Sequence, residues 1–376
     1  MYGHHMRCSV AVLSNTQEFH PSVQLARLHL MNNPTNSTLT RRQVLASAAA
    51  LGAMAPLPFN ALAQSARALC YNCPPEWADW GGMLRLIGQR TGVAVPPDNK
   101  NSGQSLAALI AEKGNPVADV TYLGGQFGPQ ARDAGVLAPF KPARWNDIPA
   151  GFKDPEGFWF TIHSGTLGLF VNTAALRGKP VPKSWKDLTN PQYKGMVGYL
   201  NPASAAVGQV GVVAVNLAMG GNYENFDPAI NFFKDLQANQ PVVPTQTSYA
   251  RVISGEIPIL LDYDFNAYRG QHTDKAPVQF VIPQEGTVSL PYIMGLVAKG
   301  PNADNGRKVL DFVLSDEGQR HWAAAYLRPV IASAMTAESR AKFLPDSDYA
   351  RSRPVDVFRL AGAAKTIATR YQKEVV

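Results

Sequence analysis

The chain has 376 residues, 45% hydrophobic and 17% charged, with 31 glycines and 29 prolines, a balance that excludes a disordered or collagenous chain and leaves room for two or three compact units. Three cysteines exclude a disulfide scaffold. The formal net charge is +7, but the basic residues never gather into a run, and without an RNA-binding aromatic signature or zinc-finger spacing no nucleic-acid partner is expected.

Residues 1–63 read as an address. Arg41 and Arg42 precede an uncharged Ala- and Gly-rich stretch, 44–59, and Ala61-Leu62-Ala63 supplies a small-x-small cleavage site. The stretch falls short of the roughly 20 residues that span a bilayer. The twin arginine followed by Gln43, Val44 and Leu45 resembles the twin-arginine export motif, and Met31 is the expected true start. Removing Arg7, Arg27, Arg41, Arg42 and Glu18 leaves 31 basic and 27 acidic side chains. Leu69 and Arg67 do not suit a lipid anchor at Cys70, so a soluble periplasmic protein is expected, cleaved near Ala63.

Short apolar runs then alternate with helical patterns, which predicts an α/β fold. A strand over 68–72 precedes a helix that starts near Pro75, carries Trp77, Trp80, Met83, Leu84 and Leu86 at helical spacing, and ends at Gly92. A strand follows at 93–95, then a helix with Ser102 as N-cap, then a strand over 118–123 closed by Gly124-Gly125. The β-rich segment 158–170 is long enough to cross between lobes. Strands at 196–200, 257–261 and 278–282, with helices at 203–217 and 228–236, build a second lobe. The apolar run 290–298 crosses back, and helices follow at 303–314 and 317–326. The expected division is 64–164 with 292–330 as lobe one, 165–291 as lobe two, and 331–376 as a C-terminal helical segment.

Specific residues sit on this frame: Gly157-Phe158-Trp159-Phe160, Leu169-Phe170-Val171-Asn172, Pro182-Lys183-Ser184-Trp185-Lys186-Asp187-Leu188 and Pro191-Gln192-Tyr193-Lys194-Gly195-Met196-Val197. Ser254-Gly255-Glu256-Ile257-Pro258-Ile259 follows, then a helix from Asn302 to Ser315 that runs on into Asp316-Glu317-Gly318-Gln319. Over about 65–330 this order resembles the type 2 periplasmic solute-binding proteins of ATP-binding-cassette (ABC) importers, in the branch of ferric-iron, polyamine, thiamine and aminophosphonate binders. The resemblance implies a two-lobed α/β protein, mixed sheets with helices on both faces, joined by hinge strands near 163–166 and 289–292. It implies a monomer without cofactor that closes on a small polar solute and delivers it to an ABC permease in the inner membrane.

In such folds ligands bind outside the carboxyl ends of strands, where helix N-termini converge. Lobe one offers Asn72 after the first strand, Ser102 and Ser105 at a helix start, and Tyr122 at the end of the third strand. Lobe two offers Asn201 and Ser204 before a helix of small residues, and Tyr249 before another. Both helix starts suit an anion, while Ser102 capping its own helix is an equal alternative. After the strand at 257–261 come Asp262, Tyr263 and Asp264. Ferric-binding relatives carry adjacent tyrosines here; Asp264 in place of the second disfavours a hard trivalent ion. Two carboxylates around one ring suit an ammonium instead, with Glu285 as a third carboxylate or a solvated loop charge. An amine-bearing solute, a polyamine or an aminophosphonate, is therefore expected.

Cys70-Tyr71-Asn72-Cys73 lies too close to the expected mature start for a redox βαβ unit, and the mature histidines His163, His272 and His321 are scattered, which disfavours zinc. A local Cys70–Cys73 disulfide in an oxidising compartment is the favoured reading. No nucleophile-elbow, zinc-protease, P-loop or dinucleotide-binding motif stands in a usable setting, so no enzyme is expected. Delivery of the liganded form to a membrane sensor is the remaining rival to transport.

Overall fold

The computed structural model describes residues 66–245 and 248–376; the twin arginines, the expected start at Met31 and the expected cleavage site at Ala63 lie outside the described residues. In chain order the strands and helices are β1 Cys70–Tyr71, α1 Trp80–Thr91, α2 Ser102–Ala111, β2 Val120–Gly124, α3 Phe127–Asp133, β3 Leu137–Ala138 and β4 Phe160–Asn172. Then come β5 Val197–Tyr199, α4 Ala206–Ala218, α5 Asp227–Gln237, α6 Tyr249–Ile253, β6 Ile259–Tyr263, α7 Asp264–Tyr268, β7 Val278–Val281 and β8 Thr287–Val297. The chain ends with α8 Ala303–Leu314, α9 Asp316–Ala324, β9 Arg328–Pro329, α10 Ala337–Arg340, α11 Asp346–Tyr349, β10 Ser352–Pro354 and α12 Val357–Glu374.

Among the described residues the strands join in one path, β1-β2-β8-β4-β6-β5, with β3, β7, β9 and β10 attached beside it. The path divides within β4. Its first half, through Thr166, pairs antiparallel with β8, whereas Leu167 onward pairs with β6 and β7. The crossing is therefore a strand pair, His163 opposite Tyr292 and Thr166 opposite Ser289, with a register shift between Thr161 and His163. All but one of the thirteen β4 residues are buried, as expected of a central strand covered on both faces.

Local chemistry accounts for several boundaries. The α1 helix starts at Trp80 rather than near Pro75, because residues 74–79 form turns and Asp79 Oδ1 accepts from Gly82 N at 3.3 Å. It ends where Gly92 adopts φ +70°, a left-handed conformation that glycine takes without cost. The strand expected at 93–95 is only a single bridge, Arg67 to Ala94. Asn101, not Ser102, caps α2: Asn101 Oδ1 accepts from Gln104 N at 2.9 Å and Gln104 Oε1 accepts from Asn101 N at 2.9 Å, a reciprocal capping box. The segment 331–376 is not wholly helical, since β10 pairs parallel with β8. Among the described residues no helix is long and apolar enough to cross a membrane.

The last helix fastens onto the second sheet's layer. Tyr371 Oη lies 3.1 Å from Tyr199 Oη, Arg370 pairs with Asp227 at 2.8 Å, and Lys234 reaches Glu374 at 3.1 Å. Its first turn leans on the other lobe, where Phe358 meets Trp159 with ring centroids 6.1 Å apart.

Gly208, in the first turn of α4, sits directly on the Leu200 carbonyl, and a Cβ there would fall far inside contact distance of backbone atoms. Gly208→Ala should therefore push α4 off the end of β5 and lower stability by about 1–3 kcal/mol, read as a lowered urea midpoint. An unchanged midpoint would contradict this seating of α4.

Candidate functional site

A cavity of about 50 Å³ opens between the two sheets. The first lobe lines it with Asn72, Pro74 and Trp77 from the loop after β1, and with Lys100, Asn101 and Ser102 at the start of α2. The second lobe supplies Leu200 at the end of β5, Ala205, Ala206 and Val207 at the start of α4, and Thr245; Tyr292 of β8 completes the wall. The strand ends thus deliver two helix N-termini to one space from opposite sides, where free N–H groups and a partial positive charge of about half a unit collect.

The hydrogen-bond inventory shows what these groups still lack. Ser102 Oγ accepts from Gly124 N at 3.0 Å and from Asn72 Nδ2 at 3.2 Å, so among the described residues its own proton has no acceptor. Asn72 Nδ2 spends its other hydrogen on the Tyr122 carbonyl at 2.8 Å, and among the described residues no donor reaches Asn72 Oδ1. Both side chains are more than nine-tenths buried. At α4 the cap position is Ala205, which has no side chain able to accept, and the Ala206 and Val207 N–H groups find no carbonyl among the described residues. Lys100 adds a cation at the rim, 2.6 Å from Asp98 and 4.0 Å above the Tyr71 ring.

The lobes are closed on this cavity. The Gly103 Cα packs against the Ser204 carbonyl so tightly that no side chain would fit between them. Gln126 Nε2 donates to Gln209 Oε1 at 3.0 Å across the interface, and Arg269 Nη1 donates to the Glu76 carbonyl at 2.5 Å.

Of the residues singled out from sequence, Asn72 and Ser102 line the cavity and the others do other things. Tyr122 is buried behind it, its hydroxyl 3.2 Å from Trp77 Nε1 and 3.1 Å from His163 Nε2. Ser105 is buried, and among the described residues no partner meets its hydroxyl. Asn201 Oδ1 accepts from Ala203 N at 2.8 Å and shapes the turn before α4, while Ser204 contributes its carbonyl to closure. Tyr249 donates to Asp274 Oδ2 at 2.5 Å beneath the Arg269 guanidinium. Glu285 is not part of this cavity; it is a half-buried loop charge whose carboxylate accepts from the backbone N–H of Trp185 at 3.1 Å and of Lys186 at 3.4 Å.

The segment expected to hold an ammonium is turned into the protein. Asp262 Oδ1 accepts from Tyr263 N at 2.7 Å and Oδ2 from Asn266 Nδ2 at 2.9 Å. Asp264 Oδ1 accepts from Thr166 N and Phe265 N, each at 3.0 Å, and Oδ2 from Tyr349 Oη at 2.8 Å. Tyr263 is buried against Trp77, Phe265 and Tyr292. Neither carboxylate is in the cavity wall: Asp262 is taken by its own neighbours Tyr263 and Asn266, and Asp264 by Thr166 and the distant Tyr349. The expected disulfide is also absent: Cys70 and Cys73 are free and buried, with Cys73 Sγ donating to the Cys70 carbonyl at 3.2 Å and Cys70 Sγ to the Tyr71 carbonyl at 3.6 Å. Lys100, Thr245 and Leu200 escaped the sequence reading, whereas the start of α4 was expected there as an anion-ready helix end after the 201–205 turn.

Comparison with known proteins places this geometry in context. Residues 115–353 match the family model described as bacterial extracellular solute-binding protein. An uncharacterized protein of Haemophilus influenzae is 33% identical over 281 residues, 70% of this chain and 77% of that one. A Salmonella typhimurium periplasmic protein named for 2-aminoethylphosphonate binding is 28% identical over 235 residues, 61% of this chain and 67% of its own. Among solved structures, the periplasmic binding protein AfuA of Actinobacillus pleuropneumoniae, with fructose-6-phosphate bound, superposes with TM-score 0.67 at 24% identity. The match covers 82% of this chain and 98% of AfuA. The fold is that of type II periplasmic binding proteins.

Burial raises the Asp262 carboxyl from its usual 3.8 to about 7, against the lowering effect of its two hydrogen bonds. The native state therefore holds a proton that the unfolded chain releases near pH 4, and the stability this contributes is lost as pH rises toward about 7. Asp262→Asn should become progressively more stable relative to the parent between about pH 4 and pH 8, by a few kcal/mol at most. Thermal melts across that range check it; a pH-independent difference would contradict the protonated carboxyl.

Proposed function

Because the chain belongs to the bacterial extracellular solute-binding proteins, we propose that it captures a small solute with an oxyanion head, phosphate or phosphonate, between its lobes and presents the closed complex to an ABC permease. Relatives are named as periplasmic proteins, one of them as a probable ABC transporter periplasmic-binding protein, which supports that setting. One observation carries the choice of an oxyanion: the N-termini of α2 and α4, the unaccepted Ser102 proton and the Lys100 ammonium converge on one cavity.

The physical logic is charge compensation. In an open molecule water satisfies each helix end; closing the lobes removes that water and brings two partial positive charges together. A phosphorus oxyanion placed between them accepts from both sets of N–H groups and from Ser102, so closure and binding stabilise each other. The β4–β8 pair is the hinge, and the narrow Gly103–Ser204 contact is the point at which closure completes.

Two relatives support the reading through their own ligands: the Salmonella protein is named for an aminophosphonate, and AfuA holds a sugar phosphate. A ferric ion asks for several anionic oxygens together, and among the described residues the cavity lining holds no carboxylate and one phenol, Tyr292.

Ser102→Ala should weaken binding of inorganic phosphate or a simple phosphonate about 10- to 100-fold, the loss expected of a hydrogen bond to a charged group. Gly103→Ala should weaken it comparably by blocking closure, while leaving the melting temperature of the unliganded protein unchanged. Isothermal titration calorimetry reads both. Parent-like affinity in the two variants would contradict the site.

A further inference from the structure

The walls of the same cavity bear on the rest of the solute. Among the described residues no carboxylate lines the cavity. The carboxylates nearest in the fold are already engaged. Asp98 accepts from Asn72 N at 2.9 Å, Lys100 N at 3.1 Å and Lys100 Nζ at 2.6 Å, and both oxygens of Glu112 accept from Tyr71 Oη. Asp262 and Asp264 hold groups of their own lobe and of the C-terminal segment.

Aromatic faces offer no substitute. Lys100 covers the Tyr71 ring, and Tyr292 stacks on Tyr122 at 5.1 Å with only 17° between the planes. Trp77 is packed by Tyr263, Phe265 and Tyr292 at centroid distances of 5.2 to 6.0 Å. An ammonium brought into this space would meet two positive helix ends and the Lys100–Asp98 ion pair, with no lining carboxylate among the described residues to neutralise it, and a buried unpaired charge is costly. What the wall does offer beyond the oxyanion groups is apolar surface from Pro74, Trp77 and Leu200 and one idle acceptor, Asn72 Oδ1. That acceptor suits a hydroxyl.

Resting on the oxyanion reading above, we infer that the solute is a phosphate or phosphonate whose remaining part is neutral and hydroxylated, and that the site rejects zwitterions bearing an ammonium. This reverses the amine expected from the Asp262-Tyr263-Asp264 segment and separates this chain from the aminophosphonate named for its Salmonella relative.

The test needs no variant. Calorimetric titration of the purified protein with 2-hydroxyethylphosphonate and with 2-aminoethylphosphonate compares two ligands that differ in one group, and inorganic phosphate serves as a third arm. The hydroxyl compound should bind at least about tenfold more tightly than the amine, the consequence of leaving an ammonium without a partner. Equal or tighter binding of the amine would overturn the inference while leaving the oxyanion reading intact. Absence of binding by all three would overturn both.

Discussion

Two helix N-termini facing each other across one small cavity set the terms for the rest of this molecule. Each carries N–H groups that its own helix cannot satisfy, and each adds a partial positive charge. Only α2 has a capping side chain, Asn101, and that side chain serves Gln104 N, leaving the first N–H groups untouched. At α4 the cap position is alanine. A natural helix end without a cap, buried against another protein surface, needs an external acceptor, and an oxyanion supplies one to both ends at once.

The closed lobes are held by contacts that touch that acceptor's surroundings. The Gln126–Gln209 bond joins the starts of α3 and α4, and Gly103 meets the Ser204 carbonyl one turn from the free N–H groups. Behind the cavity a block of rings joins the hinge to the wall. Tyr122 on β2, His163 on β4 and Tyr292 on β8 pack within 5.1 to 5.6 Å of one another, and Trp77 ties them to Tyr263 and Phe265 of the second lobe. Burial drives the His163 imidazole down to about 3, so it stays neutral across physiological pH and the ring block carries no titrating charge there. The crossing strands and the cavity wall therefore share side chains, so that under the proposed capture a movement at the crossing would be felt at the wall.

Much of the frame was legible in sequence because it follows local rules. The alternation of apolar runs with helical spacing located most strands and helices, and the long runs around 158–170 and 290–298 correspond to β4 and β8, the two strands that pair at the crossing. The anion-ready helix starts were visible as Ser102 and the 201–205 turn. The site as a whole was less legible, since it depends on which way side chains turn after a strand ends. Asp262 and Asp264 sit at the carboxyl end of β6, where a ligand group belongs, yet Asn266 one helical turn on and Tyr349 from the distant C-terminal segment claim them. No periodicity announces a partner 85 residues away. Likewise a C-x-x-C spacing permits a disulfide without requiring one, and the left-handed turn at Asn72, φ +67°, accompanies thiols that face carbonyls instead.

The most direct measurement is a crystal structure of the protein grown with a simple phosphonate. The account requires phosphorus density between the starts of α2 and α4, within hydrogen-bonding distance of Ser102 Oγ and of the Ala206 and Val207 N–H groups. Ligand density elsewhere, above all against Asp262 or Asp264 with the two helix ends left to water, would contradict it.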